Sequence, residues 1–203
     1  MGDLTGSKNF ESEVRFLIPN IDKFLKRVED LKLKLIRKYS FTDYYFKPNF
    51  GPWDSLKQSL RIRVWRQPKR ETAIYLTSQE VKQTGKYSFK RSLYPEGKRI
   101  LFTGLEEKCR EVLDDLGFKQ VYKIEKKQGL VWQDLKKGLE FCAEETDLFG
   151  WTGEIELEGI NFAEIKKILA RHQQLLQLTD EQITFKSVAL IIEEKLGLLK
   201  TKE

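Results

Sequence analysis

The chain has 203 residues, 40% of them hydrophobic and 33% charged, which excludes a disordered polymer and fits one large globular domain or two small ones. Lys and Arg number 37 against 31 Asp and Glu, and the resulting +6 favours anionic partners only weakly. No apolar run approaches the roughly 20 residues of a membrane-spanning helix, and a single histidine, His172, excludes His-rich metal sites and argues against a His-based triad.

The opening stretch MGDLTGSKN is small and polar, so residues 1–9 are expected to be a flexible N-terminal segment. No basic-then-apolar leader opens it, and Cys109 and Cys142 lack metal-like spacing. Both are expected as reduced core residues of a cytoplasmic protein. FESEVRF at 10–16 alternates Phe10, Ser12, Val14 and Phe16 with Glu11, Glu13 and Arg15, the period of a strand. From Asn20, a plausible N-cap, apolar residues at Ile21, Phe24, Leu25, Val28, Leu31 and Leu35 predict a helix. TDYYFKP is β-rich and ends at Pro48, and NFGPWDSLKQ is a loop of turn formers. In SLRIRVW, Leu60, Ile62 and Val64 face one way and Arg61 and Arg63 the other. TAIYLTSQEV and KYSFKRSLY predict two further strands. Leu105, Cys109, Val112, Leu113 and Leu116 form a helical stripe that Gly117 ends. GLVWQDLKKGLEFCAEE predicts a hairpin turning at Lys136, Lys137 and Gly138, and WTGEIELEG sets Glu154, Glu156 and Glu158 opposite Ile155 and Leu157. Two helices are expected at about 162–177 and 179–198. The roughly repeated order of strands and helices implies two similar halves without a linker, with residues 10–198 forming a single domain.

Several strands that each set charge against apolar residues point away from an ordinary sandwich, which turns its charges to solvent. Here the apolar faces can pack on helices and the charged faces can turn inward around a wet channel. A barrel of about eight strands encloses room for one small ligand. Glu11, Glu13, Glu154 and Glu156 form two Glu-x-Glu pairs, and Glu144 or Glu145 adds a carboxylate. Hard divalent cations take such oxygen ligands without histidine. Arg15, Arg61, Arg63, Lys90 and Lys126 supply cations at strand positions, and carboxylates with a metal plus a set of cations suit a polyphosphate. Any one Glu-x-Glu is more often a solvated sheet face. Tyr44, Tyr45, Trp132 and Trp151 are expected as core or rim packing, and His172, beside Arg171, as exposed. No aromatic-basic nucleic-acid pattern surrounds SFKRSLY.

In order and spacing these motifs resemble the CYTH family of triphosphate tunnel metalloenzymes, which includes class IV adenylyl cyclases, thiamine triphosphatases and inorganic triphosphatases. ESEVR resembles the opening Glu-x-Glu-x-Lys, with Arg15 for lysine; TDYYF resembles a shortened Asp-x-Tyr-Tyr; LRIR matches at 60–63; EETDLFGWTGEIE resembles the late acidic run; TFKSVALII resembles the closing segment. The resemblance spans about residues 10–195. It implies an α+β fold, an eight-stranded antiparallel β-barrel tunnel flanked by helices. It implies that Glu11, Glu13, Glu144, Glu154 and Glu156 hold Mg²⁺ or Mn²⁺, with Glu145 the alternative to Glu144. It also implies that Arg15, Arg61, Arg63, Lys90 and Lys126 bind the triphosphate, with Glu11, Glu13 and Arg15 at the chemistry. Gln79 and Gln128 stand where the family carries basic residues, and Lys82, Lys86 and Lys90, of one strand parity, are expected to compensate. The implied activity is metal-dependent hydrolysis of a nucleoside, thiamine or inorganic triphosphate. Cyclisation of ATP to cyclic AMP and pyrophosphate, and non-catalytic binding of a nucleotide or polyphosphate, stay open beside it. Neither a membrane nor a nucleic acid is expected as partner, and a homodimer is possible.

Overall fold

A computed structural model describes residues 10–84, 87–134, 139–159, 162–184 and 186–198; the side chains of 10–13, 83–84, 87–89, 134, 139, 156–159, 162 and 165 lie outside that description. The predicted N-terminal segment 1–9, the hairpin turn at 136–138 and Lys86 fall outside it too.

Strand β1 (Phe10–Leu17) leads into helix α1 (Ile21–Asp30). Asn20 caps α1 as expected, its side chain accepting from the Lys23 N–H at 2.9 Å. The helix is shorter than its stripe predicts. Lys32 takes a left-handed φ of 54°, and Leu35 lies not in a further turn but in strand β2 (Lys34–Pro48). β3 (Gln58–Gln67), β4 (Glu71–Thr84), β5 (Tyr87–Ser92) and β6 (Arg99–Thr103) follow, the last not foreseen from sequence. Helix α2 (Glu106–Asp115) ends at Gly117, which takes φ 77° and returns its N–H to the Asp114 carbonyl. β7 (Phe118–Asp134) extends well upstream of the predicted hairpin, and β8 (Leu139–Thr146) and β9 (Gly150–Gly159) complete the long strands. Helix α3 (Phe162–Leu176) matches its prediction. The single helix expected at 179–198 is instead a 3₁₀ turn (Asp180–Gln182), a two-residue strand β10 (Ile183–Thr184) and α4 (Val188–Lys195). Pairing of β10 with Arg15 and Phe16 of β1 competes with helix there, and Ser187 restarts the helix by accepting from the Leu190 N–H.

Every strand pair is antiparallel, in the order β1–β5–β4–β3–β2–β7–β8–β9. Because β1 also pairs with β9 along its whole length, the eight long strands trace one ring rather than two halves. β6 adds to β4 and β10 to β1. The two parities of the strands do different work. Outward residues Val14, Phe16, Trp132, Phe141 and Ile155 pack with Phe24 and Val28 of α1 and Leu169 and Leu176 of α3. On another flank Leu60, Ile62 and Ile74 pack on Cys109 and Leu113 of α2. Burying such side chains contributes about 1.5–3 kcal/mol each, so the helices hold the wall from outside and leave the inward parity to charged residues and to the cluster of Tyr39, Phe41, Trp65 and Val131. Helix α4 is the exception. Its Val188 and Ile192 pack on Tyr45, Tyr122 and Ile124, and Tyr45, Ile124 and Val188 also line the interior, so α4 fills one end of the ring.

His172, expected exposed, is 1% exposed on α3, with Nδ1 2.7 Å from the Ile168 carbonyl oxygen. The prediction failed because its position, i+3 from Leu169 and i−4 from Leu176, lies on the buried stripe of that helix. Of the four aromatics expected as packing, Tyr45 and Trp132 are buried and Tyr44 and Trp151 partly so.

Candidate functional site

The ring encloses a cavity of about 590 Å³. Arg15, Arg61, Arg63, Lys90, Lys126, Glu144 and Glu154 all line it. Glu145 does not, being on the other parity of β8. The side chains of Glu11, Glu13 and Glu156 are not described, but Glu13 is paired with Glu156 two residues along from the Arg15–Glu154 pair, so these positions share that register parity.

Arg15, Glu144 and Glu154 come together where β1, β8 and β9 meet. Arg15 Nη2 donates to Glu154 at 2.5 Å and Nη1 to Glu144 Oε2 at 3.4 Å. The other oxygen of Glu144 accepts from Lys126 Nζ at 2.5 Å and from the Tyr39 hydroxyl. Glu144 is 2% exposed. Burial by itself would raise its pKa, but Lys126 and Arg15 outweigh that and hold the carboxyl below the usual range. Burial likewise opposes the charge on Lys126, and Glu144 and Glu154 raise its pKa above the ordinary lysine value. Both groups are therefore ionised at neutral pH, and each is the reason the other can be.

Across the cavity, β2 and β3 build the opposite arrangement. Asp43, 2% exposed, accepts from Arg63 Nε at 2.7 Å and Nη2 at 2.6 Å, and Arg61 Nε lies 3.6 Å from its Oδ2. The register places Asp43 directly opposite Arg63, with Arg61 opposite Tyr45. Burial raises the Asp43 pKa and the two arginines more than reverse it. Arg63 also lies 3.8 Å over the face of Phe41 and 5.1 Å from the Trp65 ring centre.

Several lining residues were not foreseen. Asp43, Tyr39 and Tyr45 share one inward parity of β2, a signal present in the alternation Tyr39, Phe41, Asp43, Tyr45. Arg37 was hidden by the over-long helix, and Lys98 enters from a loop, 5.0 Å from the Tyr75 ring centre, where no periodicity exists. Cys142 is corrected from a core residue to a cavity residue, two positions from Glu144 on the same parity; Cys109 is buried as expected. Of the lysines expected to compensate for Gln79, Lys90 lines the cavity and Lys82 does not. Gln79 lines it too and donates to the Leu56 carbonyl at 2.9 Å.

Ligand atoms of Cys142, Glu144 and Glu154 lie within 4.8 Å of one another. Burial, then Glu144 and Glu154, push the Cys142 thiol well above its ordinary pKa, so it stays protonated and is no ligand for a hard ion. The two carboxylates are the oxygen donors that Mg²⁺ or Mn²⁺ takes, so the donor set fits such an ion.

A model of the CYTH domain matches residues 9–195. The chain belongs to the CYTH family. No curated protein sequence matches it. Among solved structures, this CYTH chain is similar to a conserved hypothetical protein from Pyrococcus furiosus, at 23% identity and TM-score 0.68 over 89% of this chain and 99% of that one. It is similar to a proposed adenylate cyclase from Vibrio parahaemolyticus, at 14% identity and TM-score 0.63 over 93% and 99%. A proposed adenylyl cyclase from Hippeastrum, described by a dominant triphosphatase activity, aligns at 16% identity and TM-score 0.60 over 93% and 96%. At these identities the likeness shows the CYTH fold. Among the described residues no helix is long and apolar enough to cross a membrane.

Proposed function

We propose that the chain is a metal-dependent triphosphatase acting through residues 10–198 as one tunnel domain. The observation that carries this reading is a cavity of about 590 Å³ in which seven cationic side chains face five carboxylates, with the acids Glu144 and Glu154 on one wall and the Arg61–Arg63 pair on the other. An elongated polyanion fits such a chamber, and two facing walls of opposite character fit one that arrives with a cation.

Arg61, Arg63, Lys90 and Lys126 bind phosphate oxygens in this reading, and Arg15 reaches from the acid wall toward them. Glu144 and Glu154, with Glu11, Glu13 and Glu156 at the same end, would hold Mg²⁺ or Mn²⁺. When bound, such an ion neutralises phosphate oxygens and stabilises charge on the leaving group. The ion pairs would couple the entry of cation and anion: Glu144 and Glu154 would hold the ion in place of Arg15 and Lys126, and those two cations would pair with phosphate in place of the carboxylates. Neither exchange alone leaves every buried charge paired. Carboxylates not used as ligands orient the attacking water against the terminal phosphorus.

Hydrolysis is favoured over cyclisation by what surrounds the aromatic rings. Phe41 is covered by Arg63, and Tyr45 stacks on Tyr122 at 4.7 Å with Arg61 5.9 Å from its ring centre. Cyclisation needs base and ribose held in line with the α-phosphate, whereas hydrolysis needs only a polyanion and a water. Both cysteines are free, in keeping with a cytoplasmic location. The test is product analysis with inorganic triphosphate, ATP and thiamine triphosphate in Mg²⁺ and Mn²⁺. Orthophosphate release that Glu11→Gln or Glu156→Gln abolishes, with folding retained by circular dichroism, supports the reading. Cyclic AMP with pyrophosphate replaces it with cyclisation, and binding without product replaces it with a passive binder.

A further inference from the structure

Arg61 and Arg63 are two residues apart on one face of β3, which sets two like charges about 7 Å apart in a buried wall. Left to themselves they would repel and sample many rotamers. Asp43 stands between them on β2. Its carboxylate takes Nε and Nη2 of Arg63 in a parallel fork, at 2.7 and 2.6 Å, and approaches Arg61 Nε at 3.6 Å through the same oxygen that holds Nη2. Phe41 presses on one face of the Arg63 guanidinium at 3.8 Å, and Arg61 rests against Tyr45, whose ring Tyr122 backs. The fork engages one edge of Arg63 and leaves Nη1 as the edge not turned to Asp43. From the acid wall, Lys126 acts on Asp43 only through its charge, whereas Arg63 is held by a fork of hydrogen bonds.

We propose that Asp43 is a positioning residue that presets Arg61 and Arg63 as a two-guanidinium grip for neighbouring phosphoryl groups. The inference rests on the triphosphate reading above for its ligand, and on the fork geometry for its mechanism. The ordering of two long side chains is completed on folding instead of on binding, so the ligand meets a formed site. Two effects of removing Asp43 oppose each other. Losing its charge makes the wall more positive and strengthens attraction for a polyanion; losing its fork releases the guanidinia and weakens the grip. If Asp43 only neutralises charge, the first effect governs; if it positions, the second does.

The experiment uses the full chain with inorganic triphosphate as probe, in calorimetric titration. Asp43→Asn is expected to raise Kd about tenfold or more despite the gained positive charge. In an Arg63→Ala background the same substitution is expected to add less than about threefold, because its effect runs through Arg63. Unchanged or tighter binding by Asp43→Asn overturns the proposal. An equal penalty in both backgrounds also overturns it, since that marks an ordinary structural residue. Asp43→Glu keeps the charge and moves the fork by one methylene; it is expected to lose affinity likewise, and serves if the Asn variant does not fold. A readout without ligand separates this inference from the functional reading. In ligand-free protein the Arg63 Nε–H, followed by NMR, should exchange with solvent about tenfold more slowly in wild type than in Asp43→Asn. Equal exchange overturns the presetting. Failure of wild type to bind any triphosphate, with that protection present, overturns the functional reading and leaves the presetting supported.

Discussion

The two walls of the tunnel solve the cost of buried charge in opposite ways. On the acid wall Glu144 and Glu154 are matched by Arg15 and Lys126, so each carboxylate holds a cation. On the basic wall one carboxylate, Asp43, serves two arginines. A buried ion must be paired or its desolvation penalty dominates, so each wall is stable without a ligand. They differ in what they have to spare. Among the described side chains the acid wall sets the two carboxylates Glu144 and Glu154 against the two cations Arg15 and Lys126. The basic wall carries surplus positive charge and has room for an anion from the start.

The largest effect is expected from breaking the acid wall. Glu144→Ala removes the partner of Lys126, Tyr39 and Arg15 together, and should lower stability by about 3–5 kcal/mol in denaturant titration. A loss below 1 kcal/mol would mean that the wall does not hold its cations as described. On the basic wall, neighbours in sequence should separate function from stability. Ile62→Ala, on the outward face packed against α2, should cost about 2–5 kcal/mol of stability. Arg61→Ala, one residue earlier and turned inward, should weaken triphosphate binding by about 1.5–3 kcal/mol. Normal binding by Arg61→Ala would remove that wall from the site.

A smaller effect sharpens the comparison. If the acid wall opens only when a cation and an anion arrive together, Mn²⁺ should tighten inorganic triphosphate binding by about 1–3 kcal/mol, and the triphosphate should tighten Mn²⁺ by the same amount. Independent binding, measured by titrating each with and without the other, would argue that the walls are not linked. The smallest effect concerns pH, and it distinguishes the tunnel from the helix layer. Asp43 and Glu144 have lowered pKa values, so their contribution to stability is full above the ordinary carboxylate range and is lost as pH falls through their folded values. His172 behaves in a higher window. Burial lowers its pKa, so it folds neutral; its contribution is full above the unfolded value of about 6.5 and falls as pH drops below that. His172→Phe should therefore flatten the stability profile as pH falls below about 6.5 without altering the loss that the carboxylates cause at lower pH. An unchanged slope in that window would assign the acid sensitivity to other groups.

The strand alternation made much of this architecture legible. Arg61 and Arg63 against Leu60 and Ile62, and Glu154 against Ile155, already divide each strand into an inner and an outer face, because successive side chains must leave a strand on opposite sides. Glu144 rather than Glu145 follows from the same rule once β8 is placed. What the alternation does not carry is which strands become neighbours. That Asp43 lies opposite Arg63, and that Lys126 on β7 reaches Glu144 on β8, are properties of register. Residues outside regular strands left no period to read. Lys98 enters from a loop, and the segment after Leu178, expected as helix, instead forms β10 by pairing with β1. His172 and Cys142 depart from their expected settings for a related reason. A polar or thiol side chain has no fixed environment of its own, and a helix stripe or strand parity gives it one only after packing selects which face is covered. Local sequence determined the faces of the strands, since that depends on bond geometry within a few residues. Closure of the ring determined which faces share a cavity, since that depends on contacts between residues more than a hundred positions apart, such as Arg15 with Glu144 and Glu154.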